Sequence, residues 1–146
     1  NGDWSADNRT FELLLSDVRA GDGGELLLAT SQLVWALEGA NALLTKTQSE
    51  RPLCPFGQPT ERSRALKRVV QQFFVTNVQP WVVSLRRRAE LIHEPTQRLD
   101  PLLARSITHP YRHWMAARDA LLSQLTQMTR QHVQAVQATL ASCQQD

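Results

Sequence analysis

The chain has 146 residues, 16 Lys+Arg against 14 Asp+Glu for a net charge of +2, and 42% hydrophobic residues, the composition of an ordinary globular domain. No apolar run approaches the ~20 residues of a membrane-spanning helix, and the near balance of charge argues against nucleic acid as a partner. Of the 16 basic residues 14 are Arg and only Lys46 and Lys67 are Lys, a bias that a high-GC genome explains as readily as recognition of anions does.

Asn1-Gly2-Asp3-Trp4 opens the chain without Met, as a trimmed chain or a mature secreted protein freed of its signal peptide would. Ser5, Asp7 and Asn8 are N-cap candidates for a first amphipathic helix with Phe11, Leu14, Leu15 and Val18 on one face, ending at Gly21. Asn8-Arg9-Thr10 is also a glycosylation sequon. Asp22-Gly23-Gly24-Glu25 has the form of a capping box with Asp in place of Ser or Thr, and predicts a helix over 24–45. Leu26, Leu27, Leu33, Val34, Leu37, Ala40 and Leu44 face one side of it; Leu28 and Trp35 widen the stripe, which predicts burial on more than one face. Gly39 with Ala36, Ala40 and Ala42 would admit a close helix crossing.

Residues 48–59 read as a loop, because Pro52, Pro55 and Pro59 remove donors and Gly57 permits a turn. Thr60 caps a helix over 61–79 with Leu66, Val69, Val70, Phe73 and Phe74 as its apolar face, ended by Pro80. Residues 73–78 also have strand composition; the helical spacing from Leu66 onward, with no second strong strand to pair, favours helix. Trp81, Val82, Leu85, Ala89 and Ile92 continue the pattern, with Arg86, Arg87 and Arg88 on the outer arc. Asp100-Pro101 reads as an N-cap and a first-position proline starting a short helix through Ile107. His109-Pro110 repeats the device for a last helix over 110–142, roughly 48 Å long at ~1.5 Å per residue. Trp114, Leu121, Leu125, Met128, His132, Val136 and Leu140 lie near one of its faces, and Gln124, Gln127, Gln131, Gln134 and Gln137 form a solvated one. The expected fold is all-α: a single domain over 1–146, a bundle of about five helices with a long C-terminal helix.

Cys54 and Cys143 are too far apart for a CxxC redox pair or a zinc knuckle. One long-range disulfide in an oxidising compartment is the natural reading, against two unrelated thiols in a cytosolic protein. His109 and His113 lie four apart, but Pro110 makes His109 a cap and no further ligands complete a metal site. His93-Glu94 reads as a helix C-terminal cation beside a loop carboxylate, and His132 as a satisfied core imidazole. Neither cysteine sits where its thiol pKa would fall. GxSxG, HExxH and a phosphate-cradling glycine loop are absent from the sequence, so neither catalysis nor a cofactor is expected. Trp4, Trp35, Trp81 and Trp114 read mainly as core filler, with Trp81, beside Pro80, the exception to watch.

From Thr10 to about Leu85 several features recur in one order. Leu13-Leu14-Leu15 falls in a short first helix, and Trp35, Gly39, Asn41, Ala42 and Leu43 in the second. The loop Arg51-Pro52-Leu53-Cys54-Pro55-Phe56-Gly57-Gln58-Pro59-Thr60 follows, close to a Cys-x-Pro-x-Gly-x-Thr pattern, and then Val69-Val70, Phe73-Phe74 and Pro80. This series resembles the periplasmic Rap/Tai immunity family, which neutralises cell-wall amidases injected by type VI secretion. The resemblance implies a small all-α, disulfide-bearing, non-enzymatic periplasmic protein that binds another protein. It covers about half the chain and leaves residues 96–146 outside it, and Asp17 and Leu27 stand near where relatives carry cysteines.

The expected function is accordingly a secreted or periplasmic binding protein, an inhibitor or immunity protein that occludes the cleft of an amidase or other hydrolase. Phe56, Gly57 and Gln58 would contact the partner from a constrained, exposed turn, with Trp81 as an anchor and Arg86, Arg87 and Arg88 as a polar rim. The competing expectation is a ligand-binding or sensory bundle whose Trp35, Trp114, Met128 and His132 line a cavity for a small apolar molecule. The same residues read more readily as close-packed core, since interiors leave few voids.

Overall fold

The computed structural model describes residues 8–143; Trp4 and the cap candidates Ser5 and Asp7 lie outside them. The fold is all-α, with no strand among the described residues. Helix α1 (Asn8–Ala20) leads through a tight turn at Gly21 into α2 (Gly23–Glu50). A Cβ at Gly21 would lie 3.2 Å from Ile92 Cγ1, so the turn is pressed against the helix that carries Ile92. After a loop with one 3₁₀ turn (Pro55–Gly57) come α3 (Glu61–Val69), a π-helical stretch (Val70–Val78) and α4 (Gln79–Leu103), which follow one another without a break. Helix α5 (His109–Ala141) closes the fold.

Pro80 therefore does not end a helix, contrary to the reading of 61–79 as a separate element. A proline ring strikes the carbonyl of the preceding turn and offers no N–H. Here the turn before it is already opened to five-residue bonds: Gln79 N–H donates to the Phe74 carbonyl, and Thr76 Oγ1 and Asn77 Nδ2 reach the carbonyls of Gln71 and Gln72 at 3.3 and 3.4 Å. The wider coil accommodates the ring. Downstream α4 also runs through Pro95 and Pro101, so the expected short helix from Asp100 to Ile107 is instead the last turn of α4 and the connection to α5. Thr96 Oγ1 donates to the Ile92 and His93 carbonyls, both at 2.9 Å, supplying a donor in the turn where Pro95 has none.

The hydrophobic core is the seam of α2, α4 and α5. Leu26, Leu33, Val34 and Leu37 of α2 meet Val82 and Leu85 of α4 and Leu125 of α5, with Phe74, Ile92, Leu121 and Met128 around them. Helix α2 packs mainly on α5, and α1 lies on α4 through buried Leu14. Burial of α2 on more than one face, expected from Leu28 and Trp35, does not occur: they are exposed, and nothing lies within 4 Å of a Cβ built at Gly39. The close crossing expected there is absent. Leu33, Val34 and Leu37 suffice to dock the helix, so its opposite side stays outward.

Two aspartates that read as helix caps are ion-paired instead. Asp22 precedes α2 but makes no side-chain cap bond; its carboxylate pairs with Arg88, tying α4 to the α1–α2 turn. Asp100 lies inside α4 and binds Arg118 Nη2 of α5 at 2.9 Å. Helix α5 begins at His109 with Thr108 as its N-cap and no side-chain cap bond, so His109 is the first helical residue rather than the cap.

Candidate functional site

The loop after α2 is held at several points. Leu53 and Cys54 are buried, and Cys54 is bonded to Cys143 just past the end of α5, with a Cα–Cα distance of 5.1 Å. This is the long-range disulfide the sequence predicts. Thr60 Oγ1 donates to the Leu53 carbonyl at 2.6 Å and accepts from Ser63 N–H at 3.3 Å, while Thr60 N–H donates to Ser63 Oγ at 3.0 Å. The capping box that starts α3 thus also closes the loop. Between these fixed points Gly57 N–H reaches the Cys54 carbonyl and Gln58 N–H the Pro55 carbonyl, at 3.1 and 3.2 Å.

The tip of this loop is Phe56. It is 100% exposed and lies in the left-handed region at φ 55° and ψ 28°, followed by Gly57 at φ 78°. That conformation suits glycine; in a residue with a Cβ it costs roughly 1–2 kcal/mol and persists only where the surroundings impose it. Gly57 is buried and Gln58 exposed, so Gly57 shapes the turn and leaves contact to its neighbours.

Trp81 and the arginines do not form the expected anchor and rim. Trp81 is 41% exposed on α4. Arg88 shares its side of the helix but is committed to Asp22. At about 100° per residue Arg86 and Arg87 lie at least about 120° round from Trp81.

Nor do Trp35, Trp114, Met128 and His132 line one cavity. Trp35 is 77% exposed on the outside of α2, and Met128 packs against the core. Trp114 belongs to a small cavity of about 190 Å³ between the α1–α2 turn, α4 and the start of α5, where Tyr111 stacks on it at 5.4 Å. Trp35, Trp81 and Trp114 are therefore not core filler. The Arg118 guanidinium lies 5.6 Å over the Trp114 ring and binds Asp119 Oδ1 at 2.8 Å as well as Asp100. Burial would lower its pKa, but the bonds to the two carboxylates outweigh this and raise it. Sequence reading missed Arg118, because nothing within the helix distinguishes a buried Arg from an exposed one; only Asp100, eighteen positions earlier, does.

His132 lines a different space, a trough of about 430 Å³ between the π stretch, the start of α4 and the C-terminal half of α5. Its Nδ1 is 2.8 Å from Asn41 Oδ1 of α2, and its ring lies 4.9 Å from Phe74. Burial holds its pKa below the ordinary imidazole value, and because an amide oxygen only accepts, Nδ1 donates to Asn41. The satisfied core imidazole read from the sequence is what the structure contains. A third cleft of about 410 Å³ between α4 and α5 holds His93, Asp119 and Ser123. Asp119 Oδ1 accepts from Arg118 Nε, and no hydrogen bond joins those three residues into a relay. Among the described residues no cluster of three or more metal-ligating side chains occurs, and no helix is long and apolar enough to cross a membrane.

Residues 4–146 match the family described as protein of unknown function (DUF3080), and the chain belongs to that family. No curated protein and no solved structure matches it.

Proposed function

We propose that the protein is a non-enzymatic binding protein of an oxidising compartment, periplasmic or secreted, that inserts Phe56 into the cleft of a partner protein as an inhibitor or immunity protein of a cell-wall hydrolase would. The observation that carries the reading is Phe56 itself, wholly exposed and held in a left-handed conformation by a loop fixed at Cys54, Gly57 and Thr60. A fully solvated aromatic adds nothing to the fold, and strain retained at an exposed tip is characteristic of binding sites. A rigid aromatic also loses little entropy on docking, which makes it an efficient anchor. The disulfide fits a compartment that oxidises thiols. Cys54 and Thr60, which fall in register with the loop pattern of the amidase immunity family, are also the residues that fix the two ends of the turn.

The test is inhibition and direct binding of the purified chain against a panel of secreted cell-wall amidases and hydrolases. At least one is expected to bind saturably and to lose activity, and Phe56→Ala is expected to weaken that complex by about 30-fold or more, the loss typical of a central anchor. A panel without a binder, or a complex indifferent to Phe56→Ala, refutes the reading.

A further inference from the structure

We propose that the trough between the π-helical stretch, α4 and the C-terminal half of α5 binds a free long-chain fatty-acid anion, with its hydrocarbon chain along the valine-rich walls and its carboxylate on Arg86.

Each wall is one stripe of a helix. On α4 the lining residues are Gln79, Val82, Val83 and Arg86, and on α5 they include His132, Val133, Val136 and Leu140 with the polar Thr129 and Gln137, recurring mainly at the three- and four-residue steps of a packed seam. Yet the seam is open. Val75 of the π stretch is 49% exposed, Val83 61% and Val133 39%, so branched apolar side chains from facing elements remain in water. Protein interiors normally fill such a space, and about 430 Å³ falls within the ~300–1,000 Å³ typical of small-molecule sites. The π stretch adds Val70, Phe74 and Val75 to the lining, from a coil wider than that of α4.

Charge selects the occupant. Arg86 is the one charged residue lining the trough, and no acidic residue lies within ion-pair distance of it among the described residues. It stands at the end that adjoins the neighbouring α4–α5 cleft, which it lines as well, together with Glu90 and Asp119. His132, the other titratable group in the lining, has its Nδ1 committed to Asn41, and burial disfavours its charged form. A neutral apolar trough with a single cation at its mouth matches a single hydrocarbon chain with one anionic end. From Thr129 to Leu140 α5 rises roughly 16 Å at ~1.5 Å per residue, the length of an extended dodecyl to tetradecyl chain.

The experiment displaces a dansyl-labelled fatty acid from the purified chain with myristate, below its micellar concentration, and repeats the titration with tetradecanol. Saturable one-to-one uptake is expected, with tetradecanol weaker than myristate by about tenfold, because a charge-assisted bond is lost. Arg86→Ala should weaken myristate by the same factor and leave tetradecanol unchanged, while Arg86→Lys should retain most of the myristate affinity. Val133→Trp, which fills the trough, and Val83→Glu, which places an anion in it, should each abolish uptake of both ligands. Both replaced side chains are solvent-exposed, and unchanged helical circular dichroism verifies folding of every variant. Absence of saturable uptake overturns the proposal, as does uptake that survives both trough variants or an alcohol that binds as tightly as the acid.

Discussion

Severing the Cys54–Cys143 bridge tests whether the loop around Cys54 and the end of α5 are held as one unit. The bridge spans 89 positions, and the loss of chain entropy on closing a loop of that length stabilises the folded state by about 4.6 kcal/mol at 25 °C. Reduction should therefore lower the melting temperature by roughly 9 to 18 °C, at ~2–4 °C per kcal/mol for a chain of this size. The two serine variants should differ. Cys143 is partly exposed, so Cys143→Ser loses little beyond the cross-link. Cys54 is 4% exposed, and Cys54→Ser buries a hydroxyl at a further cost of about 1–3 kcal/mol. Urea titrations followed by far-ultraviolet circular dichroism, on the oxidised protein, the reduced protein and both variants, give the ordering. The denaturant slope should rise on reduction, because the uncrosslinked unfolded chain exposes more surface. Reduction that costs less than about 1 kcal/mol, with an unchanged slope, would refute the argument that the bridge acts by restricting the unfolded chain.

Arg118→Ala should destabilise by about 3–5 kcal/mol, because it leaves Asp100 largely buried without its partner; a urea midpoint near that of the parent would show that the pair is dispensable. For His132, burial lowers the folded-state pKa from its ordinary value of 6.5, so the folded protein binds fewer protons than the unfolded chain in the window just below that value. Its contribution to stability is complete above that window and declines as the pH falls through it. His132→Gln should remove that part of the acid dependence, read from urea midpoints near neutrality and near pH ~5. Phe56→Gly should leave stability unchanged or raise it by up to about 1 kcal/mol, since relief of left-handed strain offsets the added freedom of the unfolded chain. A loss greater than that would show that the Phe56 ring serves the fold.

Local chemistry made much of this fold legible. The face of α2 from Leu26 to Leu37, the Thr60 cap, the proline-rich loop and the long last helix all follow from periodicity and capping within a few residues. The disulfide was legible because only two cysteines were available. What escaped was set by partners distant in sequence. Asp22 and Asp100 each carry a local cap signature, but the competing partner in each case is an arginine on another helix, Arg88 or Arg118, and a paired guanidinium outweighs a single cap bond. The same limit applies to Trp35. An aromatic on an apolar helix reads as buried, and its exposure follows only from which face Leu33, Val34 and Leu37 present to α5 and α4. At the candidate binding loop Pro55 and Gly57 marked the turn, but the left-handed backbone at Phe56 had no sequence signal, since such a conformation is ordinarily assigned to glycine.

Pro80 links these shortfalls to function. Reading it as a helix end divides the chain at 79 and separates Phe74 and Val75 from Val82, Val83 and Arg86. Because the five-residue bonds of the π stretch carry the helix past Pro80, those residues instead form one continuous wall facing α5. The wall is continuous but changes coil at Gln79, from π-helical to α-helical, so its side chains do not keep a single helical register. The trough lies where that change of coil faces the C-terminal half of α5. The stretch that defeats the local reading of the helix is therefore also one that lines the valine-rich seam beside Arg86, and a variant that shortens it by one residue should move Phe74 and Val75 out of the wall and weaken any uptake there.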